Sequence, residues 1–159
     1  MIYNEFSARH HAWVGAMGWH NRSNLEAMAM IYSEVGESVD EMTSQGLTSA
    51  FPGELADIVL RSVDMAIENK VNIDFERRHY SPDRPAYRTV SACLLCITSV
   101  LAKGVNAARR DDYDGITDSL VRTLLLCEEI ATRQSIDLQS VVEQKIAINL
   151  ARGSRGRAI

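Results

Sequence analysis

The chain carries only three prolines, Pro52, Pro82 and Pro85, and all of them fall in two breaks. Between those breaks the apolar residues recur at helical spacing, with no sustained alternation of the strand kind. The fold class this leaves is all-α, a helical bundle of about five to six helices. A length of 159 residues suits a single domain, 1–159, with a core of its own.

Composition excludes several classes of function. The net charge is −4, with 24% charged and 46% apolar residues, so the basic surplus of a nucleic-acid binder is missing. No apolar run reaches the length that a membrane span requires, and the first residues, "MIYNEFSARHHAW", lack a signal-peptide core. Neither nucleic acid nor membrane is expected as a partner. Three cysteines, Cys93, Cys96 and Cys127, are an odd number, which points to reduced thiols and a cytoplasmic setting. The "CLLC" pair lies in an apolar run without a second pair or a histidine cluster, so it reads as buried small hydrophobes.

Acidic residues are crowded unusually. Ser23 and Glu26 form a capping-box start, followed by Leu25, Met28, Tyr32, Val35, Val39 and Met42 at steps of three and four, ending near Gly46. On that helix Glu34, Glu37 and Glu41 fall within about 60° of one another at the seam's edge. A second helix starts near Pro52, with an apolar face of Leu55, Ile58, Val59, Val63 and Ala66. Its Glu54, Asp57, Arg61 and Asp64 lie within about 80° along one edge. The short connection makes the two helices antiparallel neighbours, so Glu34 and Glu37 can face Glu54 and Asp57. Like charges three or four residues apart repel. Either the acids form solvated faces, with Glu54 and Asp57 complementing a helix dipole, or hard cations sit between them.

These residues carry a resemblance. "SEVGE" followed by "ELAD" resembles the EExxE…ExxD signature of the MazG-like all-α nucleoside triphosphate pyrophosphohydrolases. The run "GWHNRSNLEAMAMIYSEVGE" is similar to the dCTP pyrophosphatase and dimeric dUTPase-like branch, with Trp19, His20, Asn24 and Leu25 in matching order. "KIAINLAR" matches a closing KxxxNxxR pattern through Lys145, Asn149 and Arg152. The resemblance implies hydrolysis of nucleoside triphosphates to monophosphate and pyrophosphate, with Mg²⁺, or Mn²⁺ in its place, held by Glu34, Glu37, Glu54 and Asp57. It further implies phosphate pairing by Lys145, Asn149 and Arg152, and nucleobase contacts by Trp19, His20 and Asn24. Glu37 or Glu41 would align or deprotonate the attacking water. Family members assemble as dimers or tetramers, so a homo-oligomer, a dimer, is expected.

Two departures stand out. Ser33 occupies the place of the first glutamate of EExxE, and the distance to KxxxNxxR is too long by most of a repeat. An internal duplication accounts for the excess. "IDFERRHYSPDR" at 73–84 aligns with "VVEQKIAINLAR" at 141–152 at an offset of 68, pairing Arg77 with Lys145, Ser81 with Asn149 and Arg84 with Arg152. On this reading 1–85 is the acidic metal-binding repeat. Residues 86–159, with helices near 88–109 and 116–134, form a degenerate one, and together they make a four-helix pseudo-dimeric core. "HYSPDRPAY" is the linker between them.

The remaining polar residues are read plainly. His10 and His11 are adjacent, point to different faces and read as surface histidines. Glu76 and His79 make a lone ExxH, whereas di-iron bundles need two. Arg155 and Arg157 belong to a short basic tail. The competing class is a catalytically inactive bundle that binds a nucleotide or a protein partner, for which Ser33 is the best support.

Overall fold

The computed structural model describes residues 1–19, 21, 23–80 and 89–152, and the fold is an all-α bundle with one two-residue hairpin. In chain order come α1 (Asn4–Ala16), α2 (Asn24–Asp40), strands β1 (Met42–Thr43) and β2 (Gly46–Leu47), then α3 (Phe51–Glu68). After them follow the one-turn α4 (Ile73–Glu76), running into a 3-10 turn at Arg77–His79, then α5 (Val90–Ala108), α6 (Tyr113–Arg133) and α7 (Leu138–Arg152). Seven α-helices among the described residues exceed the five to six expected, chiefly because α1 and α4 were not read from the sequence.

Four helices form the centre: α2 packs on α3, α5 on α6, α2 on α5 and α3 on α6. The pair α2 and α3 is antiparallel, since Asn24 meets Asn69 through reciprocal amide bonds of 2.9 and 2.8 Å, while Glu34 meets Arg61 farther along. α3 is the hub, touching α1, α2, α6 and α7. It is accordingly buried almost throughout, from Phe51 and Leu55 to Met65 and Ala66.

Local chemistry explains where these helices begin and end. Ser23, Thr89 and Asp112 each accept a hydrogen bond from the backbone N–H three residues on, the side-chain cap that an exposed first turn needs. The hairpin between α2 and α3 pairs Met42 with Leu47 and Thr43 with Gly46. Gly46 has φ +120°, a conformation that L side chains rarely adopt.

The two helical hairpins repeat the same devices about 65 residues apart. α3 and α6 end with Lys70 (φ 58°) and Ser135 (φ 55°) in the left-handed region, each closing a turn that returns Val71 N–H to Ala66 and Ile136 N–H to Ala131, both at 2.8 Å. Asn72 and Asp137 then cap the following helices by accepting from Phe75 and Ser140. At this offset of 65, rather than the 68 of the side-chain alignment, Tyr80 and not Arg77 falls opposite Lys145. Arg77 instead bonds Glu128 and the Met1 carbonyl, while Ser81 and Arg84 lie outside the described residues. Turn geometry sets register here, and it overrides a local likeness of side chains.

The apolar seam of α2 is also corrected. Met28 and Val35 are buried, whereas Leu25, Tyr32 and Val39 are 44%, 38% and 48% exposed, and Met42 belongs to β1. The inward face is Ala27, Met28, Ile31, Glu34, Val35 and Ser38. Because α2 is flanked by both α3 and α5, it buries a wider stripe, rotated from the seam toward the acids.

Contrary to the expectation from the sequence, α5 is long and apolar enough, by length and composition, to cross a membrane, its few polar residues being spread along an otherwise apolar helix. In the fold Cys93, Leu94, Ile97 and Leu101 are packed into the core. Cys93 and Cys127 are both buried, and burial pushes their thiols up from the usual range. α5 meets α6 closely at Gly104, where an added Cβ would stand 2.7 Å from Ser119 Oγ and 2.8 Å from Met28 Cε. Ser119 is pinned by its 2.8 Å bond to the Val100 carbonyl. Gly104→Ala is therefore expected to lower stability: overpacking of about 1–3 kcal/mol outweighs a helix-propensity gain of about 1 kcal/mol. Denaturant unfolding of the two proteins checks the sign.

Candidate functional site

A groove of about 430 Å³ opens where α1, α2, α3 and α7 meet. Glu34 and Glu37 of α2, and Glu54, Asp57, Arg61 and Asp64 of α3, line its floor. Lys145, Asn149 and Arg152 of α7 face them, and His10, Trp13 and Trp19 close one end. The helical periodicity that selected these acids explains their convergence. Residues 34 and 37, 54 and 57, and 145, 149 and 152 each share one face of their helix, and the bundle turns those faces together.

One carboxylate oxygen each from Glu34, Glu54 and Asp57 lies within 4.8 Å of the other two. Lys145 Nζ stands 2.5 Å from Asp57 Oδ2, and Arg61 Nε donates to Glu34 Oε1 at 2.9 Å. Five carboxylates (Glu34, Glu37, Glu54, Asp57, Asp64) meet three cations (Arg61, Lys145, Arg152), a formal excess of two negative charges. Burial holds the Glu54 carboxyl above its usual range, against the pull of Lys145, with Asp57, Glu37 and Glu34 adding to the rise. Asp57 is raised as well, by burial first, although Lys145 and Arg61 oppose it.

The aromatic end is a finding of the fold. His10 is only 5% exposed and His11 Nδ1 lies 2.7 Å from Asp64 Oδ1, so neither is a surface histidine. Adjacent residues on α1 do point differently, but α1 lies against α3 and both faces are engaged. Burial, with Arg61 and His11 nearby, lowers the His10 imidazole to about 4, leaving it neutral at pH 7. Its Nδ1 is buried without a hydrogen-bond partner among the described residues. His10 and Trp13 rings stand 5.9 Å apart, and Trp13 meets Trp19 edge-on at 4.8 Å.

Other expected residues stand elsewhere. Glu41 does not line the groove: its carboxylate accepts the Thr48 hydroxyl, and its carbonyl accepts Thr48 N–H at 2.9 Å, tying the hairpin to the end of α2. Asn24 is committed to Asn69 and borders a separate pocket of about 230 Å³ with Asn21, Ser23 and Glu68. His20 lies outside the described residues. Ser33 is exposed, donates to the Met30 carbonyl at 2.8 Å and is not among the groove residues. The serine thus takes no carboxylate away from the three that converge. Glu76 and His79 belong to no group of metal-ligating side chains among the described residues. His10, Trp13 and Arg61 carry no mark in the motif pattern, though the spacing Phe6, His10, Trp13, Val14 is that of a helix face.

No family model, curated protein or solved structure matches this chain.

Proposed function

We propose that the chain is a divalent-metal-dependent nucleoside triphosphate pyrophosphohydrolase, releasing monophosphate and pyrophosphate. The observation that carries this reading is the meeting of three carboxylate oxygens within 4.8 Å, opposite Lys145, Asn149 and Arg152 across one groove. The donor set fits a hard cation. All three ligands are oxygens, and the groove's excess of two negative charges equals one divalent ion. Glu34, Glu54 and Asp57 would hold Mg²⁺ or Mn²⁺, with Glu37 beside them. When bound, the ion supplies polarisation of phosphoryl oxygens and acidifies a water.

The rest is work for side chains. Lys145 and Arg152 pair with phosphate oxygens and offset the charge that develops on departing pyrophosphate. Asn149 offers an amide donor between them. Glu37, which has no ion-pair partner among the described residues, accepts the proton of the water whose oxygen joins phosphorus as the P–O–P bridge breaks. Trp13, Trp19 and His10 form an apolar end suited to a planar base. In this reading 1–85 and 86–159 are fused repeats of which only the first keeps the acids. Ser119 and Arg122 stand where Glu54 and Asp57 would recur at a spacing of 65.

A second reading is favoured by the ion pairs themselves. Arg61 with Glu34 and Lys145 with Asp57 neutralise two acids from within, as an inert bundle for nucleotide or protein binding would require. The two differ in their response to metal and pH. Deprotonated acids are needed for metal, so Mg²⁺ is expected to raise the melting temperature at pH 7 by roughly 5–10 °C at 100 times its Kd. With the folded carboxyls raised, the charged cluster costs apo stability above those values and the cost lifts as pH falls through them. The Mg²⁺ shift must shrink over the same range. Melting curves with Mg²⁺ and with EDTA from pH 4.5 to 7.5 test this, and an unchanged curve favours the inert bundle.

A further inference from the structure

We infer that Arg61 is a phosphate-binding residue of this site and a competitor for its metal, an inference that rests on the reading just given. Arg61 lies one turn after Asp57 on α3 and lines the groove beside Glu34, Asp57 and His10. Its Nε donates to Glu34 at 2.9 Å, with the Arg61 side chain 38% exposed and that of Glu34 7%. Among the described residues the Nε–Glu34 bond is the one hydrogen bond Arg61 makes, so its two terminal nitrogens have no partner there. A guanidinium is a fork of five N–H donors, of which Glu34 uses one edge. The other edge meets an anion in the groove without any side chain having to move away.

The contrast with Lys145 decides the assignment. The Lys145 ammonium, which also serves phosphate, stands 2.5 Å from Asp57 and is largely buried, so part of its donor capacity is already taken. Arg61 is held by one nitrogen, 38% of its side chain is exposed, and its charge acts on His10 across the groove. His10, neutral at pH 7, adds no competing positive charge there. Arg61 therefore links the metal-binding carboxylates to the phosphate chain of the substrate. While no dication is present it occupies Glu34, a ligand that a metal needs.

Opposite effects on two ligands follow, which a merely structural salt bridge would not produce. Arg61→Gln is expected to tighten Mn²⁺ binding severalfold, since Glu34 loses its internal cation. The same change is expected to weaken methylenediphosphonate, a non-hydrolysable pyrophosphate analogue, by roughly 10-fold or more on Mn²⁺-saturated protein, the loss of a charge-assisted bond. Arg61→Lys keeps the charge without the fork and should fall between. Calorimetric titration of wild type and both variants, each verified as folded by circular dichroism, reads these directly. Wild type that binds both ligands while Arg61→Gln moves them together, or moves neither, overturns the assignment of Arg61. Wild type that fails to bind Mn²⁺ overturns the metal site as well, and this inference with it.

Discussion

Asp57→Ala is expected to abolish pyrophosphate release, by on the order of 10³-fold or more, while the protein stays folded and its apo form melts no lower than wild type. Asp57 provides one of the three oxygens that lie within 4.8 Å of one another. It also anchors Lys145 at 2.5 Å, so its removal disorders the cation meant for phosphate as well as the metal ligand set. Stability responds in the other sense. The carboxyl is raised chiefly by burial, and Glu37 adds repulsion, so the charged side chain is a cost to the apo fold at neutral pH. Losing the Lys145 pair offsets part of that relief, since removing one partner leaves a largely buried ammonium. Pyrophosphate release and melting temperature, measured on one preparation, separate chemistry from folding.

Leu55→Ala, two residues earlier on the same helix, should do the reverse. Leu55 is fully buried in the core that α3 shares with the neighbouring helices. Truncating a buried leucine costs about 2–5 kcal/mol through lost transfer energy and a residual cavity. For a domain of this size each kcal/mol is about 2–4 °C of melting temperature. A fall of roughly 5–20 °C follows, with the metal-dependent shift preserved in whatever fraction remains folded. The two substitutions stand on opposite faces of one helical turn. A single face that bears stability and a single face that bears chemistry is what the bundle requires of α3.

How far the sequence reached can be judged residue by residue. Lys145, Asn149 and Arg152 were marked only by the family resemblance, whereas the convergence of Glu34, Glu37, Glu54 and Asp57, which they face, followed from helical spacing and a short connection. These are local facts that a 3.6-residue period transmits faithfully. Glu41 satisfied the same spacing and Asn24 the motif order of the resemblance, yet tertiary partners claimed them: Thr48 of the hairpin and Asn69 at the end of α3. The exposed Leu25, Tyr32 and Val39 show that a heptad of apolar residues marks a face without saying which neighbour covers it. α1 escaped because a stretch with two histidines and four other polar or charged residues does not announce a core helix, although Phe6, His10 and Val14 follow a strict four-residue step. Arg61 was visible as an edge residue, but its bond to Glu34 depends on how α2 and α3 are rotated, which no single helix specifies.

The measurement that bears most directly on the central claim is product identification. Wild-type protein is incubated with a panel of ribo- and deoxyribonucleoside triphosphates, with Mg²⁺ and with EDTA, and the products are resolved by chromatography. Equimolar nucleoside monophosphate and pyrophosphate from at least one substrate, with Mg²⁺ only, is the expected result. Nucleoside diphosphate with orthophosphate, or no product from any triphosphate in folded protein, would contradict it.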